Sequence, residues 1–218
     1  MLRNVGVHGL DHAYSDKEGI LLVKLARMTV DSYVLDRTKP SPPSDAPPKL
    51  WGKSGVFVTL NLLEKGHARL RGCIGRPYPT QPLIEATIDS SVDSAVNDPR
   101  FRPVVSDELE RIIVDLSVLT PPQKLEYSNP DELRNLVQVG RDGLIVSRGM
   151  MRGLLLPQVP VQYGWDTKTF LEHTCQKAGL PGDLWKEPEV EFMSFQAEIF
   201  GETTPRGEIV RNPEHPRC

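Results

Sequence analysis

Two apolar runs separated only by Glu64-Lys65-Gly66 constrain this chain more than any other stretch. Residues 55–61 (Gly-Val-Phe-Val-Thr-Leu-Asn) and 67–74 (His-Ala-Arg-Leu-Arg-Gly-Cys-Ile) are rich in strand-forming side chains, and the turn between them is too short for anything but an antiparallel hairpin. A second hairpin is expected downstream, with residues 143–147 and 153–156 joined across Arg148-Gly-Met-Met-Arg152. The strands thus arrive as hairpins separated by helical patterns, without regular β-α-β alternation. That makes the class α+β, with mainly antiparallel sheets flanked by helices. At 218 residues the chain forms one large domain or two closely packed subdomains. The two hairpin-helix units, residues 56–96 and 143–178, hint at a duplication.

Between these hairpins the helix signals are local. Ser15 and Glu18 form a capping box that opens a core helix running to about Tyr33. Residues 39–49 hold five prolines in eleven positions and read as an extended loop. Residues 81–96 carry apolar positions at helical spacing, and this helix is expected to turn its N-terminal amides towards Cys73. Residues 110–120 alternate as a strand stopped by Pro121-Pro122, and Asn129 begins a short helix with Gly140 as its stop. Asp166 or Thr167 caps a helix that buries Phe170, Leu171 and Cys175 and points His173 outward. Residues 190–200 read as one strand. The boundaries are an N-terminal arm at 1–14, the main domain at 15–202 and a polar tail at 203–218.

A formal charge of −3, from 26 Lys plus Arg against 29 Asp plus Glu, gives no global attraction to nucleic acid or acidic membranes. No apolar run reaches the ~18 residues of a spanning helix, and Met1-Leu-Arg-Asn4 lacks the apolar core of a signal peptide, so the chain is placed in the cytoplasm. The three cysteines, Cys73, Cys175 and Cys218, show no Cys-x-x-Cys spacing and are expected as reduced thiols, Cys218 as an exposed accident. An internal disulfide becomes less improbable if the source is a hyperthermophile. His8 and His12 have the i, i+4 spacing of a metal pair but no third ligand, and no metal or other cofactor is expected.

The chemistry concentrates around residues 69–76. In a strand, Arg69, Arg71 and Cys73 share one face, and neighbouring guanidinium groups favour the thiolate, the nucleophilic form of cysteine. The plainer alternative is a buried, inert strand cysteine. Asn97-Asp-Pro-Arg-Phe-Arg-Pro103 holds Arg100 and Arg102 in a stiff loop, suited to capture a carboxylate or phosphate beside Arg71; against this stands pairing of Asp98 with one of these arginines. Glu85 is the candidate proton acceptor or donor, since His67 lies too far along the strand. Gln158, at a strand end, orients a ligand or satisfies buried backbone.

Three ordered blocks, Leu70-Arg-Gly-Cys-Ile-Gly75, Asn97–Pro103 and Gly153-Leu-Leu-Leu-Pro-Gln-Val159 with Trp165 and the segment around Cys175, resemble the AMMECR-one domain family in an archaeal or bacterial-type member. The resemblance spans about residues 15–200 and implies two α+β subdomains packed together, with a small ligand expected in the cleft between them. It also implies a pathway shared with radical-SAM and dioxygenase-like proteins, without naming a reaction. The family more often shows His where this chain has Asp142, so a role for that His is not carried over.

Two functional readings follow. In one the protein is an enzyme or enzyme subunit with Cys73 and Glu85 catalytic and Arg71, Arg100, Arg102 and Gln158 holding a small anionic substrate. In the other it is a non-catalytic binding or scaffold module for a protein partner, with Cys73 buried and the arginines engaged by internal carboxylates such as Asp98.

Overall fold

The computed structural model describes residues 13–213. Its elements in chain order are α1 (Asp16–Asp36), β1 (Val56–Glu64), β2 (His67–Arg76), α2 (Leu83–Val96), β3 (Ile112–Leu119), β4 (Gln123–Lys124), α3 (Pro130–Leu136), β5 (Gly143–Arg148), β6 (Met151–Leu155), α4 (Gln158–Gln162), α5 (Thr167–Lys177), β7 (Glu191–Phe195), β8 (Ala197–Glu202) and β9 (Ile209–Arg211). The α+β class and the antiparallel pairing are as expected.

The strands form two sheets, ordered β2-β1-β3-β8-β9 and β4-β7-β5-β6. Both hairpins close with two-residue turns. Lys65 and Gly66 adopt φ of 51° and 80°, the left-handed pair that matches the twist of the flanking strands. Alternation then divides β1 between two environments. Val56, Val58, Leu60 and Leu62 face α1 and α2 and form, with Leu22, Val23, Ala26, Ile84 and Phe200, the larger apolar core.

On the far side of the second sheet, Leu144, Val146 and Phe192 pack with Phe170 and Cys175 of α5 and Leu133 of α3. A third cluster lies between the sheets: Leu119, Ile145, Leu156 and Phe195, with Phe57, Leu154 and Val159 packed against it. The result is four layers, helices, sheet, sheet and helices, which sequester three apolar surfaces instead of one.

The capping box of Ser15 and Glu18 starts α1 as expected, and Asp166 accepts from Thr169 N at the start of α5. Several expectations fail for physical reasons. Residues 190–200 form two strands, β7 and β8, in different sheets, broken at Gln196. At the same place β3 gives way to β4, and Thr120 N donates to the Gln196 carbonyl while Gln196 N donates to Thr120 Oγ1, each at 2.8 Å. Pro121 and Pro122 cannot continue the ladder, so the paired strands bend there and serve both sheets.

Within the stretch read as a polar tail, Ile209–Arg211 form β9, which pairs with β8. Helix α3 ends at Leu136, and Gly140, with φ of 85°, belongs to the turn that follows. Helix α2 runs opposite to the expected direction: its N-terminus bonds back to Gly52, and its C-terminal turn packs on β2. A Cβ at Gly72 would stand 2.1 Å from the Ser94 carbonyl oxygen, so only glycine admits the helix this close.

Candidate functional site

β2 is an edge strand, and an edge strand presents unpaired backbone groups. Here they are taken up by the loop after α2. Asp98 Oδ2 accepts from Cys73 N at 2.8 Å, and Arg100 donates to the Cys73 carbonyl at 3.1 Å. Arg100 also grips Asp98 through Nε at 3.0 Å and Nη2 at 2.7 Å. The Asp98 side chain is 2 % exposed while that of Arg100 is half exposed.

Burial alone would raise the Asp98 carboxyl; the Arg100 guanidinium and the amides of Cys73 and Arg100 outweigh it and lower it from 3.8 to about 2. Two residues before Cys73, at the irregular step where Arg71 has no partner in β1, β2 makes a second clamp. Arg71 forks onto Glu108, with Nε to Oε1 at 2.8 Å and Nη2 to Oε2 at 2.9 Å, and donates to the Arg102 and Pro103 carbonyls at 2.8 and 3.2 Å. This hydrogen bonding keeps the Glu108 carboxyl below its ordinary range. Two of the motif blocks singled out in sequence are therefore each other's structural partners.

This geometry changes the expected anion pocket. Arg71 and Arg100 spend their guanidinium groups on Glu108, Asp98 and main-chain carbonyls, and the exposed Arg102 contributes its carbonyl oxygen rather than its side chain. The pairing of Asp98 with Arg100 is the one weighed against ligand capture. Glu85 is exposed on the outer side of α2, nine residues before Ser94 and so about 13 Å along the helix from the turn that meets β2, and it is not brought to Cys73. His67 closes the hairpin opposite Glu64.

Cys73 is 7 % exposed and disulfide-bonded, so the expectation of reduced thiols fails there and it offers no thiolate in this state. The cysteines show no close spacing of the Cys-x-x-Cys kind, and that spacing is the only disulfide or metal signal read from their pattern. Cys175 is a free, buried thiol, pushed up to about 11 by burial. Cys218, His8 and His12 lie outside the described residues. Among the described residues, no cluster of three or more His, Cys, Asp or Glu is arranged for a metal ion.

Gln158 opens α4, half-buried, and its side chain bonds no backbone group among the described residues. His173 lies off the buried stripe of α5, half-buried, and stacks on Trp165 with ring centroids 4.0 Å apart. Asp142 is buried, pairs with Arg141 and accepts from Gln138 N at 2.8 Å, a structural role in the turn before β5.

Sequence reasoning missed a polar row on the face of the first sheet that carries Cys73. Thr59 lies across from Cys73 on one side and Asp115 on the other, and its hydroxyl is 3.4 Å from the sulfur. Asn61 donates to Asp115 Oδ2 at 2.8 Å, and all four residues are buried. The signal was available: Thr59, Asn61, Asp115 and Ser117 occupy alternate positions in strands otherwise apolar on both faces.

Next along the same face, a cleft of about 430 Å³ opens between the sheets. Phe57, Leu154, Leu156 and Val159 form its apolar walls, and Arg152 and Lys177 stand at its margin. Both cations are exposed, and neither makes an ion pair among the described residues. A Cβ at Gly153 would lie 2.5 Å from Ala178 N, so the C-terminus of α5 is seated directly on β6 and carries Lys177 to the cleft.

Fold and site together define a two-sheet α+β protein with an amphipathic cleft between its halves. The chain belongs to the AMMECR1 family, whose model matches residues 23–200. It is 51% identical over 199 residues to a protein of Thermococcus gammatolerans, covering 91% of this chain and 97% of that one, and 51% identical over 199 residues to protein PH0010 of Pyrococcus horikoshii, covering 91% and 96%. The crystal structure of the uncharacterized protein PH0010 superposes with a TM-score of 0.83 at 51% identity, over 91% of this chain and 98% of that one. Among the described residues no helix is long and apolar enough to cross a membrane.

Proposed function

We propose that this protein is a binding module whose site is the inter-sheet cleft, receiving a ligand or partner segment with an apolar body and an acidic group. One contrast carries the reading. The arginines beside Cys73 are engaged by internal carboxylates and carbonyls, whereas Arg152 and Lys177 flank an apolar opening without an ion pair among the described residues. An unpaired cation beside a desolvated apolar wall favours an anion that brings its own apolar surface. A partner from the radical-SAM and dioxygenase-like setting that the family resemblance implies would supply such a segment.

The test uses 8-anilinonaphthalene-1-sulfonate, an apolar anion. Saturable fluorescence enhancement, weakened at least tenfold by combined Arg152→Glu and Lys177→Glu but not by Lys168→Glu on the outer side of α5, is the expected result. Binding indifferent to Arg152 and Lys177 overturns the assignment.

A second reading, an enzyme centred on Cys73, is favoured by the buried row beside it, where Asn61 Oδ1 has no hydrogen-bond partner among the described residues. It requires that reduction release a thiol that alkylates rapidly below pH 8 in the folded protein.

A further inference from the structure

β2 and β6 occupy corresponding places. Each is the second strand of a hairpin with a two-residue turn, closed by Glu64 with His67 and by Arg148 with Met151. Each is the outermost strand of its sheet, and each carries an Arg-Gly pair, Arg71-Gly72 and Arg152-Gly153. In both, the glycine is seated under the C-terminal end of the next long helix, at Ser94 of α2 and at Ala178 just past α5. This correspondence sets Leu154 where the first unit has Cys73.

The two edges are finished differently. The outward N–H and C=O of Cys73 are occupied by Asp98 and Arg100. In the second hairpin, pairs alternate from the hydrogen-bonded closing pair Arg148 and Met151, so Arg152 and Leu154 belong to the non-bonded pairs and turn their N–H and C=O groups away from β5. No backbone or side-chain group among the described residues meets them. The chain after α5 continues as Gly179-Leu-Pro181 and has no counterpart of the Asp98 and Arg100 pair. The open edge borders the amphipathic cleft, since Arg152 and Leu154 line it.

We infer that β6 accepts an extended peptide segment of a partner protein as an added strand, a conclusion that rests on the cleft being the binding site. The outward groups of Arg152 and Leu154 supply the ladder. A guest side chain on the cleft face meets Leu154, Val159 and Phe57, and an acidic side chain of the guest meets Arg152 or Lys177. A second copy of this chain fits poorly, because antiparallel pairing of β6 with itself sets Arg152 near its own counterpart.

The experiment uses the full chain and a library of capped heptapeptides with alternating apolar residues and one Asp or Glu, read by amide hydrogen exchange. Members that slow exchange of the Arg152 and Leu154 amides at least tenfold, and that lose this effect when their own pairing amides are N-methylated or when the protein carries Arg152→Glu with Lys177→Glu, are expected. If no member protects these amides although anilinonaphthalene sulfonate still binds through Arg152 and Lys177, the cleft reading stands and strand addition is overturned. If neither probe binds, both fall. Protection of the same amides in the chain alone, with dimerisation on size exclusion, would assign the edge to a second copy and overturn the partner-peptide proposal.

Discussion

Asp98 offers the sharpest test of the edge clamp on β2. Its carboxyl lies at about 2 instead of 3.8, a difference worth about 2 kcal/mol at pH 7. Because the folded-state value is depressed, this stabilisation is complete above the unfolded value near 4 and is lost as pH falls through 2. Asp98→Asn keeps an acceptor for the Cys73 amide but removes the charge, so it is expected to cost about 2 kcal/mol at pH 7, about half that at pH 3 and about 0.4 kcal/mol at pH 2.

Asp98→Ala also strands the buried Cys73 amide, adding roughly 1–2 kcal/mol that does not vanish in acid. Guanidinium unfolding followed by circular dichroism, at constant ionic strength, resolves these differences; 2 kcal/mol corresponds to a midpoint change of about 0.5 M for a chain of this size. A gap between wild type and Asp98→Asn that is as wide at pH 2 as at pH 7 would refute the electrostatic argument. A cost below about 0.5 kcal/mol for Asp98→Ala at pH 7 would refute the clamp itself.

Three further outcomes are expected. Arg71→Ala should cost about 2–3 kcal/mol in the same unfolding assay by leaving the largely buried Glu108 carboxylate unpaired, and Arg71→Lys should recover less than half of it because an ammonium cannot fork. Arg27→Met should cost about 3 kcal/mol, seen as a lower melting temperature, since Arg27 forks onto buried Glu202 and donates to the Ile112 carbonyl at 2.6 Å. Alkylation followed by peptide mass spectrometry should find Cys73 unlabelled without reductant even in denaturant, and Cys175 labelled only on unfolding; labelling of Cys175 in the folded protein at pH 8 would contradict its burial.

How much of this was legible in the sequence depended on the range of the interaction. The capping box at Ser15 and Glu18, the Lys65-Gly66 turn and the Asp166 cap are set by neighbours three residues apart or fewer, and their residues declare them. The family blocks were found for the same reason, because their residues are contiguous. Their role was not, since whether Arg100 faces Asp98 or a ligand depends on where α2 sets the loop, and α2 runs opposite to the direction expected. A hint was present in the two-residue spacing of Asp98 and Arg100. The break at Gln196 left no mark because Ser194 to Ala197 alternates like any strand; only the pairing with Thr120 divides it. Thr59, Asn61 and Asp115 were passed over because the apolar alternation of the opposite face was the stronger pattern.

The joint between Thr120 and Gln196 bears on how the cleft is used. Two strands pass through it side by side, so the halves of the protein are not beads on a linker but the two arms of one bent ribbon, cross-tied at the bend. Two cross-bonded paths resist swinging at the joint more than a single linker would. On the proposed binding role, an opening framed by two cross-tied strands would divert less binding free energy into closing than one between freely jointed halves.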